Sequence, residues 1–190
     1  HGLYSNVAGT LSAHGFNILG SNVYTSRMGL ALEIYRLTSP SGGPEEREMA
    51  WGEFEQSLCG VLGGEISVEG LVRQGRLPLG GPTLPARQPP RVMISNTESD
   101  FYTLVDVIAD DRIGLLYDVT RCLGEHGLEI YISKAATIKD QVTDTFYLKG
   151  PGGRKLRDSD ALERLEEDLL AAARLDDDAD QSGSGRRPRE

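Results

Sequence analysis

Cysteine, tryptophan and histidine are scarce in this 190-residue chain, which holds two, one and three of them. Two cysteines cannot build a disulfide framework, and a reducing, cytoplasmic setting is the expectation that follows. Neither Cys59 nor Cys122 has a second Cys or His at ligand spacing, so no metal site is expected; both read as small core residues. No run of 18 apolar residues occurs, so no membrane-spanning segment is expected. Positive charge is short as well: 20 Lys and Arg against 29 Asp and Glu leave a net −9. That balance, with no paired aromatic platform, argues against a nucleic-acid partner. The chain has no initiator Met and no charged-then-apolar leader, and reads from His1-Gly2-Leu3 as a fragment of something longer. Catalytic signatures are missing too. No G-x-S-x-G, Walker or dinucleotide pattern occurs, and Gly150-Pro151-Gly152-Gly153 reads as a turn. The run Asp176 to Asp180 lacks the spacing of a calcium loop and reads as part of a solvated, disordered tail.

What is present is a repeat. Residues 2–35 align without a gap on residues 114–147, an offset of 112, with ten identities in 34 positions. Chance gives roughly two at ordinary composition. Each copy reads as a helix (Leu3, Tyr4, Val7, Leu11; Leu115, Leu116, Val119, Leu123) ending at His-Gly. His14 and His126 fall at equivalent helix ends, where the helix dipole suits them. Two strands follow, with Leu30, Leu32 and Ile34 alternating in the first copy. Val142, Phe146 and Leu148 do so in the second, where Asp144 breaks the apolar face. Closing helices carry the stripes Trp51, Phe54, Leu58, Val61, Leu62 and Leu162, Leu165, Leu169, Leu170.

Five of the nine prolines lie between Pro78 and Pro90, so 76–90 reads as a linker. The expected organisation is a first unit over 1–95, truncated at its start and closed by a strand at 91–95. A second unit spans 98–175, and 176–190 is the tail. The fold class is α+β, two split β-α-β units of βαββαβ type, the first without its opening strand and the second without its closing one.

The junction Ala109 to Leu116 joins a buried strand directly to a helix. Unsatisfied N–H groups at a helix start favour a carboxylate ligand, and Gly114 lets it come close. Equally, Asp111 serves as a helix cap and Arg112 as a solvated side chain. Spacing alone leaves both readings open.

The pattern Asp111-Arg112-x-Gly114-Leu115-Leu116, then a helix, then His-Gly-x-x-Ile, resembles the ACT domain, an amino-acid-binding regulatory module. The resemblance covers both repeats. The stretches Pro89 to Thr103, Asp111 to Asp118 and Val142 to Tyr147 are similar to the paired ACT domains of the bifunctional PII uridylyltransferase/uridylyl-removing family. This resemblance implies tandem ferredoxin-like ACT domains with ligands at their interfaces. It implies glutamine as ligand, with PII protein and the catalytic domains of a parent chain as further partners. Those domains would use a divalent metal such as Mg; no cofactor and no catalytic residue is expected in this segment. Carried over, the ligand-binding residues are Gly2, Leu3, Asn17 and Ile18 in the first copy. In the second they are Asp111, Arg112, Gly114, Leu115, Glu129 and Ile130. Asn17 keeps a side chain many such sites use, whereas Glu129 replaces it, so one functional site at Asn17 is the sharper expectation. The same resemblance implies an unpartnered Leu32/Ile34 strand and poor stability of the isolated segment. The alternatives are a tandem ACT sensor of another amino-acid-metabolism protein, or an ACT interaction module without a ligand.

Overall fold

The helical stripe at Leu3 to Leu11 becomes α1 (Leu3–Ala13), followed by strands β1 (Asn17–Thr25) and β2 (Ala31–Thr38) and helix α2 (Pro44–Leu62). Helix α3 (Val68–Gly75) and strand β3 (Arg91–Ser95) lead into the second copy. That copy supplies β4 (Thr103–Asp110), α4 (Leu115–Glu125), β5 (Glu129–Ile138), β6 (Gln141–Lys149) and α5 (Ser159–Ala173). This computed structural model describes residues 2–26, 28–40, 42–75, 88–138 and 141–174. The expected tail 176–190 and most of the expected linker lie outside those residues. Helix α3 was not foreseen, although Val68, Leu71 and Val72 have i, i+3, i+4 spacing.

The two units share one antiparallel sheet in the order β2-β1-β5-β6-β4-β3. The class is α+β with tandem ferredoxin-like units. Strands β1 and β5, equivalent in the repeat, pair with each other at the centre. In that ladder Asn22 faces Lys134, positions separated by the repeat offset of 112. A pseudo-two-fold axis therefore passes between them, and the duplication folds as an internal dimer. Both helix ends also match. His14 and His126 are the C-caps, and Gly15 and Gly127 follow in the left-handed region. Phe16 N–H donates to Leu11 O at 3.1 Å and Leu128 N–H to Leu123 O at 3.0 Å, a Schellman closure in each copy.

Two expectations need correction. Strand 91–95 does not close the first unit. It pairs with β4 on the far side of the sheet, where Val92 joins the second unit's core. In βαββαβ order a closing strand lies beside its unit's opening strand. β4 is such an opening strand and has a free edge, whereas β2 has no strand beyond it to bridge to β3. The gapless alignment also fails after the first hairpin turn. Val23 pairs with Glu33, while its repeat counterpart Ala135 pairs with Asp144. Glu33, not Leu32, thus occupies the place of Asp144, and Tyr35 that of Phe146. A one-residue slip turns a strand's side chains over. Leu32 and Ile34 consequently lie 59% and 54% exposed, while Phe146 and Leu148 are fully buried.

The main core runs across both units, from Tyr4, Ala8 and Val23 through Val105, Leu116 and Leu123 to Phe146, Leu165 and Leu169. Leu11, Phe16 and Phe54 form a smaller cluster under α2. Cys122 is buried and its thiol is pushed up to about 11, chiefly by burial. Cys59 is exposed, contrary to expectation, because it lies off the Phe54/Val61 face by which α2 packs. Helix α3 packs on α1 where Gly9 leaves room. A Cβ there would stand 2.5 Å from Val68 Cγ2 and 2.6 Å from Tyr117 Cδ2. Overpacking costs about 1–3 kcal/mol, against about 1 kcal/mol gained in helix propensity. Gly9→Ala should therefore destabilise by up to about 2 kcal/mol in urea unfolding. An unchanged midpoint would mean that α3 shifts freely off α1.

Candidate functional site

Two clefts open where the units meet, related by the pseudo-two-fold axis. The first is lined by Asn17 and Ile18 at the start of β1 together with Asp111, Arg112, Gly114 and Leu115 at the junction of β4 and α4. The second is lined by Glu129 and Ile130 at the start of β5 with Gly2 and Leu3 at the start of α1. All ten residues named from sequence lie in these clefts. Their grouping differs from the expectation, since each cleft takes its helix start from one copy and its strand start from the other. Pairing β1 with β5 antiparallel produces that exchange.

The helix starts are alike. Gly2 and Gly114 are the N-caps, with φ of 83° and 88°, in the left-handed region that a side chain would strain. Glycine brings no side chain to cap either helix. Each cleft is thus bordered by the partly positive end of a helix dipole. Asp111 accepts a hydrogen bond from Asn17 Nδ2 at 3.2 Å, joining the two units across the first cleft. That cleft is narrow, with about 10 Å³ of open space, roughly one water. The second is wide, at about 340 Å³.

Arg112 is not a solvated side chain. Its Nη1 pairs with Asp118 Oδ2 at 2.7 Å, and its Nη2 donates to Ala172 O at 2.8 Å and Arg174 O at 3.3 Å. The guanidinium thereby ties the cleft loop to the end of α5. Tyr4 lines the wide cleft, its hydroxyl bonded to Ser21 in β1 and to Ser133 in β5 at 3.0 Å. Burial pushes its phenol well above the usual range. Tyr4→Phe would leave two buried serine hydroxyls without this partner and should cost about 1–2 kcal/mol. Thermal or urea unfolding checks this, and full retention of stability would remove Tyr4 from the unit boundary's energetics.

Each cleft also holds an acid that the site reading from sequence missed. Glu33 lines the wide cleft, raised by burial, and accepts a hydrogen bond from Tyr35 OH at 2.6 Å. Its structural counterpart Asp144 lines the narrow one and is 1% exposed. Burial first, then the charge of Asp111, push its carboxyl up to about 8, against a hydrogen bond from the Ala136 backbone. Asp144 Oδ1 has no hydrogen-bond partner. The signal was legible as the polar break in an apolar strand; its meaning needed the cleft. Among the described residues no group of His, Cys, Asp and Glu is placed to hold a metal ion, and no helix is long and apolar enough to cross a membrane.

A family model described as "ACR9-like, ACT-like domain" matches residues 91–175. Over that stretch the chain is similar to an ACT-like domain. The match begins at β3, in keeping with that strand's pairing to β4. The repeat extends the ACT-like architecture to the first unit. A relative from Azospirillum brasilense, named bifunctional uridylyltransferase/uridylyl-removing enzyme, is 32% identical over 173 residues, 90% of this chain and 18% of its own. Relatives of the same name from Rhodospirillum rubrum and Gluconobacter oxydans are 33% and 31% identical, again over 90% of this chain and 18% of theirs. The chain thus spans about a fifth of the length of these curated relatives. No solved structure gives a significant match.

Proposed function

We propose that this pair of ACT-like units is the glutamine-sensing module of an enzyme that uridylylates PII nitrogen-regulatory protein and removes the uridylyl group, in the cytoplasm. The observation that carries the reading is the pair of clefts between the units, each with a helix start on one wall and a strand-borne acid, Asp144 or Glu33, on the other. A helix start suits the carboxylate of an amino acid, and acidic side chains suit its ammonium. The names of the relatives support the enzyme context. Binding would act on distant catalytic domains through a difference in affinity between two arrangements of the units. The Asn17–Asp111 hydrogen bond is placed to distinguish them, because a ligand entering the narrow cleft must part it.

A thermal-shift screen of the twenty amino acids tests the reading, with glutamine expected to raise the melting temperature. No shift with any amino acid would refute it in favour of a ligand-free interaction module. Asn17→Ala should weaken glutamine binding by about 1–3 kcal/mol in calorimetry, the cost of losing an amide contact. The width of the Glu129 cleft favours a second reading, with the ligand there and Glu129 receiving its ammonium. Unchanged affinity in Asn17→Ala together with a loss in Glu129→Ala would select that reading.

A further inference from the structure

Besides Asn17 against Glu129, the two clefts differ in what stands beside their acids Glu33 and Asp144. Glu33 and Asp144 stand at the same place in the fold, each facing the helices from the second strand of its hairpin. Two residues on, the first unit has Tyr35, whose hydroxyl donates to Glu33 at 2.6 Å. The second unit has Phe146 there, fully buried and without a hydroxyl. Asp144 therefore keeps an unfilled acceptor, Oδ1, at the wall of the narrow cleft. An unmet buried oxygen costs free energy, and a carboxylate costs far more. The equivalent site shows that a hydroxyl on the neighbouring residue suffices to fill it.

We propose that Asp144 is the specificity residue of the Asn17 cleft, its Oδ1 being the acceptor filled by the ligand's α-ammonium. The inference rests on the reading of that cleft as the glutamine site. The groups that face the carboxyl are few. Asp111 and Arg112 line the cleft from the β4–α4 loop, and Tyr4 approaches from α1. Its strand neighbours Val107 and Ala135 carry no charge. Asp111 opposes a second negative charge, so without a ligand Asp144 holds its proton, its carboxyl lying at about 8. An arriving ammonium reverses the balance. The O–H proton leaves to solvent, and the carboxylate formed takes a charge-assisted N–H···O bond. Binding at neutral pH therefore releases a proton.

Titration calorimetry with glutamine at pH 7, in two buffers of different ionisation enthalpy, reads that proton directly. Wild type should release close to one proton per glutamine, about nine-tenths at a carboxyl titrating near 8. Its affinity should rise about tenfold from pH 6 to 7. Asp144→Asn should bind glutamine about tenfold or more weakly, release no proton and lose the pH dependence. Glutaramate, which is glutamine without its α-ammonium, should bind wild type and Asp144→Asn alike. Wild-type binding of glutamine without proton release, or equal affinity in Asp144→Asn, overturns the assignment; a loss of affinity in Asn17→Ala then keeps glutamine in this cleft, and a loss in Glu129→Ala instead places it in the wide one. Absence of glutamine binding to wild type overturns both. The wild-type pH series needs no variant, so a folding defect in Asp144→Asn would not blunt the test.

Discussion

Asp144→Asn is expected to raise stability by several kcal/mol at pH 8 while changing it little at pH 4. In the unfolded chain this carboxyl titrates near 4; in the fold it is pushed up to about 8. Between those values the native state keeps a proton that the unfolded state has lost. Wild-type stability must then fall as pH rises, by about 1.4 kcal/mol per unit where the difference is one full proton. The term is absent below pH 4 and complete above pH 8. Glu33, also raised by burial, contributes a slope of the same sign that the variant retains. Asn keeps the shape and brings no proton to lose. Urea unfolding of both proteins at pH 4, 6 and 8 measures the difference. Parallel curves for the two proteins would mean that the carboxyl is hydrated in the fold.

Arg112→Ala should destabilise the chain by about 3–5 kcal/mol, the effect of removing one partner of a desolvated ion pair. Asp118 is nearly buried and would lose its 2.7 Å partner. The carbonyls of Ala172 and Arg174 would lose a donor at the end of α5. Because the same guanidinium holds the loop that carries Asp111, loosening should spread to the Asn17 cleft. Hydrogen exchange should therefore quicken at the starts of α4 and β1 as well as at the end of α5. A loss below 1 kcal/mol, with exchange unchanged, would show the pair to be solvent-screened, as exposed pairs are. Arg112→Lys is expected to recover only part of the loss, since an ammonium cannot reproduce the planar fork that meets three acceptors.

The helices were legible because each stripe was long enough to fix its period, and the His-Gly ends marked where they stop. The repeat added the equivalence of the two units. The hairpin faces were harder. Leu30, Leu32 and Ile34 alternate as a buried strand should, yet the buried face of β2 is the one carrying Glu33 and Tyr35. A strand with apolar residues on one face and large polar ones on the other does not announce its register. That is set by the partner strand and by the bulge between Ile18 and Gly20. Strand 91–95 was recognised as a strand and misplaced, because an apolar pentamer says nothing about which free edge it will fill. Helix α3 escaped notice for a related reason: eight residues beside a proline-rich stretch show too few turns to stand out.

By itself the sequence determined a duplicated α+β chain, since spacing and repetition are local properties of the chain; the ten residues that border its clefts came from its resemblance to the ACT domain. Tertiary structure decided which of them face one another. Antiparallel pairing of β1 with β5 puts Asn17 against Asp111 and Glu129 against Gly2, an exchange between copies that no spacing contains. It also decided that Asp144 keeps one buried oxygen, Oδ1, without a partner while Glu33 accepts from Tyr35. That difference depends on the slipped hairpin register and on Phe146 standing where Tyr35 stands in the other unit.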